Sequence, residues 1–220
     1  GETNYGNIYQ LENTQVIINT TPVGMYPNNG DRLVDPGRFP ACEGVIDLIY
    51  NPLYTGLLLD ARKLGIKTAN GFPMLVAQAK YASDIFKGIK REDSIIEEAL
   101  KKALSVVSNL VLVGMPGCGK STVGRSLSAM LNRKVLDTDA IIEKKTGHSI
   151  PWIFDKEGES SFRETERAVI ESVGKEKGYI ISTGGGSVLD EKNVDALRQN
   201  GIVVFLERDL KRLAIKGRPL

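Results

Sequence analysis

The residues best suited to chemistry form the run Gly114-Met-Pro-Gly-Cys-Gly-Lys-Ser121, which fits G-x-x-x-x-G-K-[ST]. Its glycines let successive backbone N–H groups turn inward around phosphate oxygens, and the helix start that follows adds partial positive charge. Lys120 is spaced to bridge terminal phosphates and the Ser121 hydroxyl to ligate Mg²⁺, so the run reads as a cradle for a nucleoside triphosphate. Cys118 is a spacer within it, not a catalytic thiol. Next comes Val135-Leu136-Asp137-Thr138-Asp139, an apolar strand ending in two carboxylates. Ligands of parallel sheets sit beyond the carboxyl ends of the strands. Asp137 is therefore expected to help hold Mg²⁺ through water, and Asp139 to bind or deprotonate an acceptor hydroxyl. A helix N-cap is the competing reading for one of the pair. Phe162-Arg163-x-x-Glu166 offers an arginine fork to a carboxylate, and Thr183-Gly184-Gly185-Gly186 lets a small molecule lie on bare backbone. Taken singly, these last two read equally well as a solvated charge pair and a loose turn.

These groups need strands and helices to hold them. After Asn109 the pattern alternates regularly, with strands expected at Leu110–Val113, Lys134–Leu136, Tyr179–Ser182 and Ile202–Leu206. Helices are expected over 119–131, 139–146, 158–175, 190–199 and 208–215, the grammar of a parallel sheet covered by helices. Before it, Val16–Asn19 and Val45–Tyr50 read as short buried strands, and Leu57–Leu64 and Met74–Phe86 as helices with apolar positions three and four apart. The charged, glycine-led stretch 88–93 is the best boundary. Ser94-Ile-Ile-Glu97 beyond it resembles a capping box opening another helix.

Composition narrows the classes. Lys plus Arg number 29 against 27 acidic residues, a net charge of +2, so there is no electrostatic case for nucleic-acid or membrane binding. Two cysteines (Cys42 and Cys118) and one histidine (His148) cannot build a four-ligand zinc site or a disulfide framework. No apolar run is long enough to span a bilayer and the N-terminus has no signal-peptide pattern. The default expectation is a reduced, cytoplasmic setting.

Taken in order, GMPGCGKST, LDTD, FRETE, STGGGSV and GRPL resemble shikimate kinase over residues 108–220. The resemblance implies that Gly117, Cys118, Gly119, Lys120, Ser121 and Thr122 bind ATP, with Arg218 approaching it from a lid. It also implies that Asp139, Arg163, Gly184, Gly185 and Gly186 hold shikimate, with Lys120 and Asp139 catalytic and Ser121 and Asp137 on Mg²⁺. The family continues past R-P-L with the rest of the lid, a further substrate-binding arginine, a fifth strand and a final helix, none of which this sequence contains.

The strings VIINTTPVGMYP, VIDLIYNPLYT and ANGFPMLVAQA instead resemble the end of shikimate dehydrogenase, over residues 1–90. That resemblance implies shikimate contacts at Tyr50 and Gln78, and an NADP site lined by Asn19, Thr20, Thr21 and the backbone of Leu48 and Gly71. No G-x-G-x-x-G precedes a helix before residue 90, and the family's catalytic lysine and aspartate belong to a domain this sequence does not include. The expected fold is thus α/β: an incomplete P-loop kinase sheet with helices on both faces over 108–220, a linker helix over 91–107, and the tail of a Rossmann-type NADP-binding domain over 1–90. The expected partners are ATP, shikimate and other parts of a fused dehydrogenase–kinase or pathway enzymes. Weak kinase turnover and no dehydrogenase turnover are expected of this stretch by itself.

Overall fold

A computed structural model describes residue 4 and residues 6–209. The chain divides into two compact units, Gly1–Leu104 and Ser105–Leu220.

In the first unit, β1 (Val16–Asn19), β2 (Gly44–Asp47) and β3 (Lys67–Asn70) form a parallel sheet in the order β1-β2-β3. Helix α1 (Gly56–Lys63) connects β2 to β3 and buries Leu57, Leu58 and Ala61 against Val34, Phe39 and Val45. The strand expected over 45–50 is corrected to 44–47. It ends at the buried Asp47, whose carboxylate accepts from Asn19 Nδ2 (3.1 Å), Ile49 N (3.0 Å) and Thr55 Oγ1 (2.6 Å). A carboxylate sunk in apolar surroundings must be satisfied by such bonds, and collecting them turns the chain out of the sheet. The Thr55 hydroxyl, accepting from Leu58 N, then caps α1. Helix α2 (Phe72–Lys87) starts with Pro73 in its first turn and stops at Gly88, which is left-handed (φ 62°). It is followed by α3 (Ser94–Val107). Strand β3 was not expected from the sequence.

At the last turn of α2, Asp84 accepts from Arg91 Nε (2.6 Å) and pairs with Lys80 Nζ (3.0 Å), which also reaches Asp93 (2.9 Å). Burial alone would raise the Asp84 pKa, but the bonds from Arg91 and Lys80 prevail and hold it at about 2. The network ties the entry of α3 to the end of α2.

The second unit holds β4 (Asn109–Val113), β5 (Val135–Asp137), β6 (Ile180–Ser182) and β7 (Gly201–Phe205), all parallel, in the order β5-β6-β4-β7. The fold class is mixed α/β with parallel sheets, as expected. Strands β4 and β6 are inner strands and β6 is buried throughout, which is why they read as unbroken apolar runs. Helices α4 (Lys120–Leu131), α5 (Thr138–Thr146), α6 (Ile150–Lys156), α7 (Gly158–Gly174) and α8 (Glu191–Arg198) clothe the sheet. Ile142, Ile153, Phe162, Val169 and Ile170 from three of them close over Val111, Val113 and Ile181. Helix α6 is an addition to the expected set. The helix expected over 208–215 and Arg218 lie outside the described residues, apart from 208 and 209.

Candidate functional site

The site is built where β4, β5 and β6 end. Between β4 and α4 the backbone takes left-handed φ values at Gly114 (147°), Gly117 (78°) and Gly119 (105°), which bend the loop back toward the start of α4. Lys120 is the first residue of α4 and is 6% exposed. Its Nζ donates to the carbonyls of Gly114 (2.6 Å) and Met115 (3.0 Å), which holds the ammonium over the loop. Cys118 Sγ stands 4.0 Å from that nitrogen and is buried.

Ser121, one residue on, donates its hydroxyl to Asp137 Oδ2 at 3.2 Å. Asp137 Oδ1 meanwhile accepts from the N–H of Asp139 (3.2 Å) and of Ala140 (3.3 Å), capping α5. The pair thus presents two hard oxygen donors side by side. Mg²⁺ is characteristically held by one or two protein oxygens, with substrate phosphates and water completing the shell, and this donor set fits it. Among the described residues, no group of three or more His, Cys, Asp or Glu side chains is arranged to hold a metal. A divalent ion here would therefore depend on the nucleotide.

The glycine triplet draws the remaining groups together. A Cβ on Gly184 would stand 2.8 Å from Asp139 Oδ1 and 3.1 Å from Glu166 Oε1, and one on Gly185 would stand 2.5 Å from Pro116 Cδ. One on Gly186 would lie 2.9 Å from both terminal nitrogens of Arg163. The lack of side chains lets Asp139, Glu166, Pro116 and the Arg163 fork all approach this one segment closely, with least room at Gly185. The Gly184 N–H is itself anchored on the buried Thr138 hydroxyl at 3.1 Å. Arg163 donates from Nη1 to Glu166 Oε2 (2.8 Å), and from Nε (3.2 Å) and Nη2 (3.1 Å) to Glu159 Oε1. Burial disfavours its charge, but the bonds to Glu166 and Glu159 outweigh burial and raise its pKa. Glu166 is buried, and its second oxygen takes the Ser187 hydroxyl at 2.6 Å. Sequence reasoning had no role for Thr138, Glu159 or Ser187. Thr138 and Ser187 meet partners far along the chain, which no local pattern announces. The four-residue spacing of Glu159 and Arg163, by contrast, was a local signal that could have found Glu159.

The first unit carries a separate cleft of about 370 Å³, lined by Thr20, Thr21, Pro22, Met25, Leu48, Tyr50 and Asn51 among others. Asn19 is buried and spends its amide on Asp47, while its Oδ1 accepts from Thr21 N (2.9 Å) and Thr21 Oγ1 (2.8 Å). It therefore shapes the turn from beneath. Gly71 packs so tightly under Leu48 that a Cβ there would run into the Leu48 carbonyl oxygen. Asn51 Oδ1 is buried with no hydrogen-bond partner, an acceptor that the sequence reading missed. Gln78 is exposed on α2, outside the residues that line the cleft. Among the described residues, no helix is long and apolar enough to cross a membrane.

The family model described as Shikimate kinase matches residues 116–217. The shikimate kinase of Acinetobacter baumannii (strain AYE) is 46% identical over 124 residues, which is 54% of this chain and 69% of that protein. The solved shikimate kinase from Acinetobacter baumannii in complex with shikimate is 45% identical with a TM-score of 0.48, covering 50% of this chain and 62% of its own. A solved chorismate mutase/shikimate 5-dehydrogenase fusion protein from Clostridium acetobutylicum is 38% identical with a TM-score of 0.42, covering 45% of this chain and 36% of its own. This chain spans about two thirds of the first of these proteins and less of the other two.

Proposed function

The chain belongs to the shikimate kinase family, and we propose that its second half serves transfer of the γ-phosphoryl group of ATP to the 3-hydroxyl of shikimate. The observation that carries this reading is the glycine triplet, with Asp139, Pro116 and Arg163 each within reach of a different glycine. Phosphate cradle, hydroxyl-binding carboxylate and carboxylate-binding fork then face one small volume.

Phosphoryl transfer is mostly positioning and charge neutralisation of a loose transition state. The loop amides of Gly117 to Thr122 wrap the nucleotide phosphates, and Lys120 moves from its carbonyl partners onto the terminal ones. Ser121 and Asp137 would hold Mg²⁺, which when bound would supply positive charge to offset that of the phosphates. Asp139 orients the acceptor hydroxyl and receives its proton. Arg163 pins the acceptor carboxylate through paired N–H donors, and Gly184 to Gly186 let the ring lie against the backbone. Arg218 would approach ATP from the lid.

The direct test is ADP release by the purified protein with shikimate, with gluconate and with no acceptor. ADP formation that requires shikimate supports the reading. Release that is equal without acceptor, or faster with gluconate, overturns it.

A second reading concerns the other unit. The cleft under Thr20, Thr21, Leu48 and Tyr50, with the unsatisfied Asn51 Oδ1 at its edge, supports residues 1–90 as part of a shikimate dehydrogenase-like NADP-binding domain. Residues 91–107 then serve as a linker helix and 108–220 as the kinase domain, within a fused dehydrogenase–kinase in which Tyr50 and Gln78 face shikimate. Unpaired cysteines fit a cytoplasmic setting. Titration with NADPH, followed by cofactor fluorescence, tests the cleft. Loss of binding in Gly71→Ala, whose side chain would push Leu48 into it, is the expected outcome.

A further inference from the structure

We propose that Glu159 is a built-in stand-in for the acceptor's carboxylate, occupying the fork of Arg163 until the acceptor displaces it. The inference rests on the acceptor reading of this site. Arg163 uses two edges, and their surroundings differ. Its Nη1 donates to Glu166, whose side chain is 1% exposed and whose other oxygen is taken by Ser187. Withdrawing from that pair would strand a buried carboxylate, which is strongly unfavourable. The Nε–Nη2 edge instead points to Glu159, whose side chain is 66% exposed. Returning such a carboxylate to water loses little, because exposed ion pairs contribute so modestly. The Glu166 contact is therefore the permanent one and the Glu159 contact the exchangeable one.

Geometry points the same way. Both Arg163 nitrogens converge on a single oxygen, Glu159 Oε1, at 3.2 and 3.1 Å. That is a weaker arrangement than two parallel bonds to two oxygens, which a planar carboxylate arriving along this edge makes. The incoming group wins by completing the fork. Glu159 sits one residue into α7 and four before Arg163, so the helix itself fixes the competitor within reach. The consequence is an acceptor affinity set below its ceiling, with a guanidinium kept neutralised against free phosphate and nucleotide anions.

The test measures shikimate and ATP dissociation constants and steady-state constants for Glu159→Gln, Glu159→Ala, Arg163→Ala and Glu159→Gln/Arg163→Ala. Removing the competitor should tighten shikimate binding by up to about fivefold, the scale of one exposed pair. The acceptor KM should fall more than kcat changes, and ATP affinity should not move. In the double variant the gain should vanish, since it acts through Arg163. Unchanged or weaker shikimate binding in both Glu159 variants, with Arg163→Ala still impaired, overturns the stand-in alone. Shikimate binding untouched by Arg163→Ala overturns the acceptor site and the stand-in with it.

Discussion

Replacing Gly185 by alanine probes the convergence of the site at the point with least room. The added Cβ would lie 2.5 Å from Pro116 Cδ and 2.9 Å from Pro116 N, where ordinary carbon contacts need about 3.5–4.0 Å. Gly185 is not among the left-handed glycines, so the strain is steric alone. The obstacle is a locked proline ring and its backbone, not the tip of a flexible side chain, so the phosphate loop and the acceptor segment must part by about 1 Å. A displacement of that size between reacting groups lowers rate by on the order of 10²-fold, while overpacking destabilises the fold by roughly 1–3 kcal/mol. Steady-state kcat/KM for ATP and for shikimate, with urea denaturation on the same preparation, reads both effects. Gly184→Ala and Gly186→Ala meet the movable ends of Asp139 and Arg163 instead. They should mainly raise the acceptor KM and spare more of kcat. The reasoning is refuted if Gly185→Ala retains near wild-type turnover, or if it is the mildest of the three.

Lys120→Ala should lower the rate by ~10²-fold or more, the scale of one preorganised electrostatic contact, with little change in the unfolding midpoint. Near wild-type turnover would remove Lys120 from the phosphate site. Asp139→Asn should abolish turnover and weaken shikimate binding while sparing ATP, whereas Asp137→Asn should raise the Mg²⁺ concentration needed for half-maximal rate; identical phenotypes would contradict the division of labour. Asp84 is depressed to about 2 from its ordinary value of 3.8. A depressed carboxylate stabilises the fold fully above its unfolded-state pKa and loses that contribution as pH falls through its folded-state value. Acid titration of the first unit's tertiary signal should therefore show loss between about pH 4 and about pH 2, and Asp84→Asn should remove that phase.

What the sequence made legible follows from where each signal resides. The loop between β4 and α4 was readable because its glycines answer a local demand, the left-handed φ that the turn into the helix requires. Strands β4 and β6 were readable because burial on both faces forces apolar runs. Strand β3, Lys67–Asn70, has no such run. It becomes a strand by pairing along β2, from Gly44↔Lys67 to Asp47↔Asn70, which is a tertiary fact. Helix α6 is a seven-residue helix containing Pro151 and lies below the length at which periodicity speaks. The apolar Leu48-Ile49-Tyr50 invited a longer strand, and Asp47 ended it through partners at positions 19 and 55. Likewise Ser187 meets Glu166 across 21 residues, and Thr138 meets Gly184 across 46. Those contacts position the site, and nothing in the local sequence spells them.

Asp137 shows why a structural role and a chemical one need not compete. From sequence, a helix cap and a metal carboxylate are rival uses of one Asp. In the fold its two oxygens separate them: Oδ1 takes the first N–H groups of α5, and Oδ2 takes the Ser121 hydroxyl. Capping fixes the carboxylate plane, because Oδ1 cannot swing away without uncovering the N–H groups of Asp139 and Ala140. That restraint leaves Oδ2 facing the Ser121 hydroxyl at the start of α4. The same turn carries Asp139 into contact distance of Gly184. One capped helix start thus fixes Asp137 beside Ser121 and Asp139 beside Gly184, and losing the cap should disturb both together.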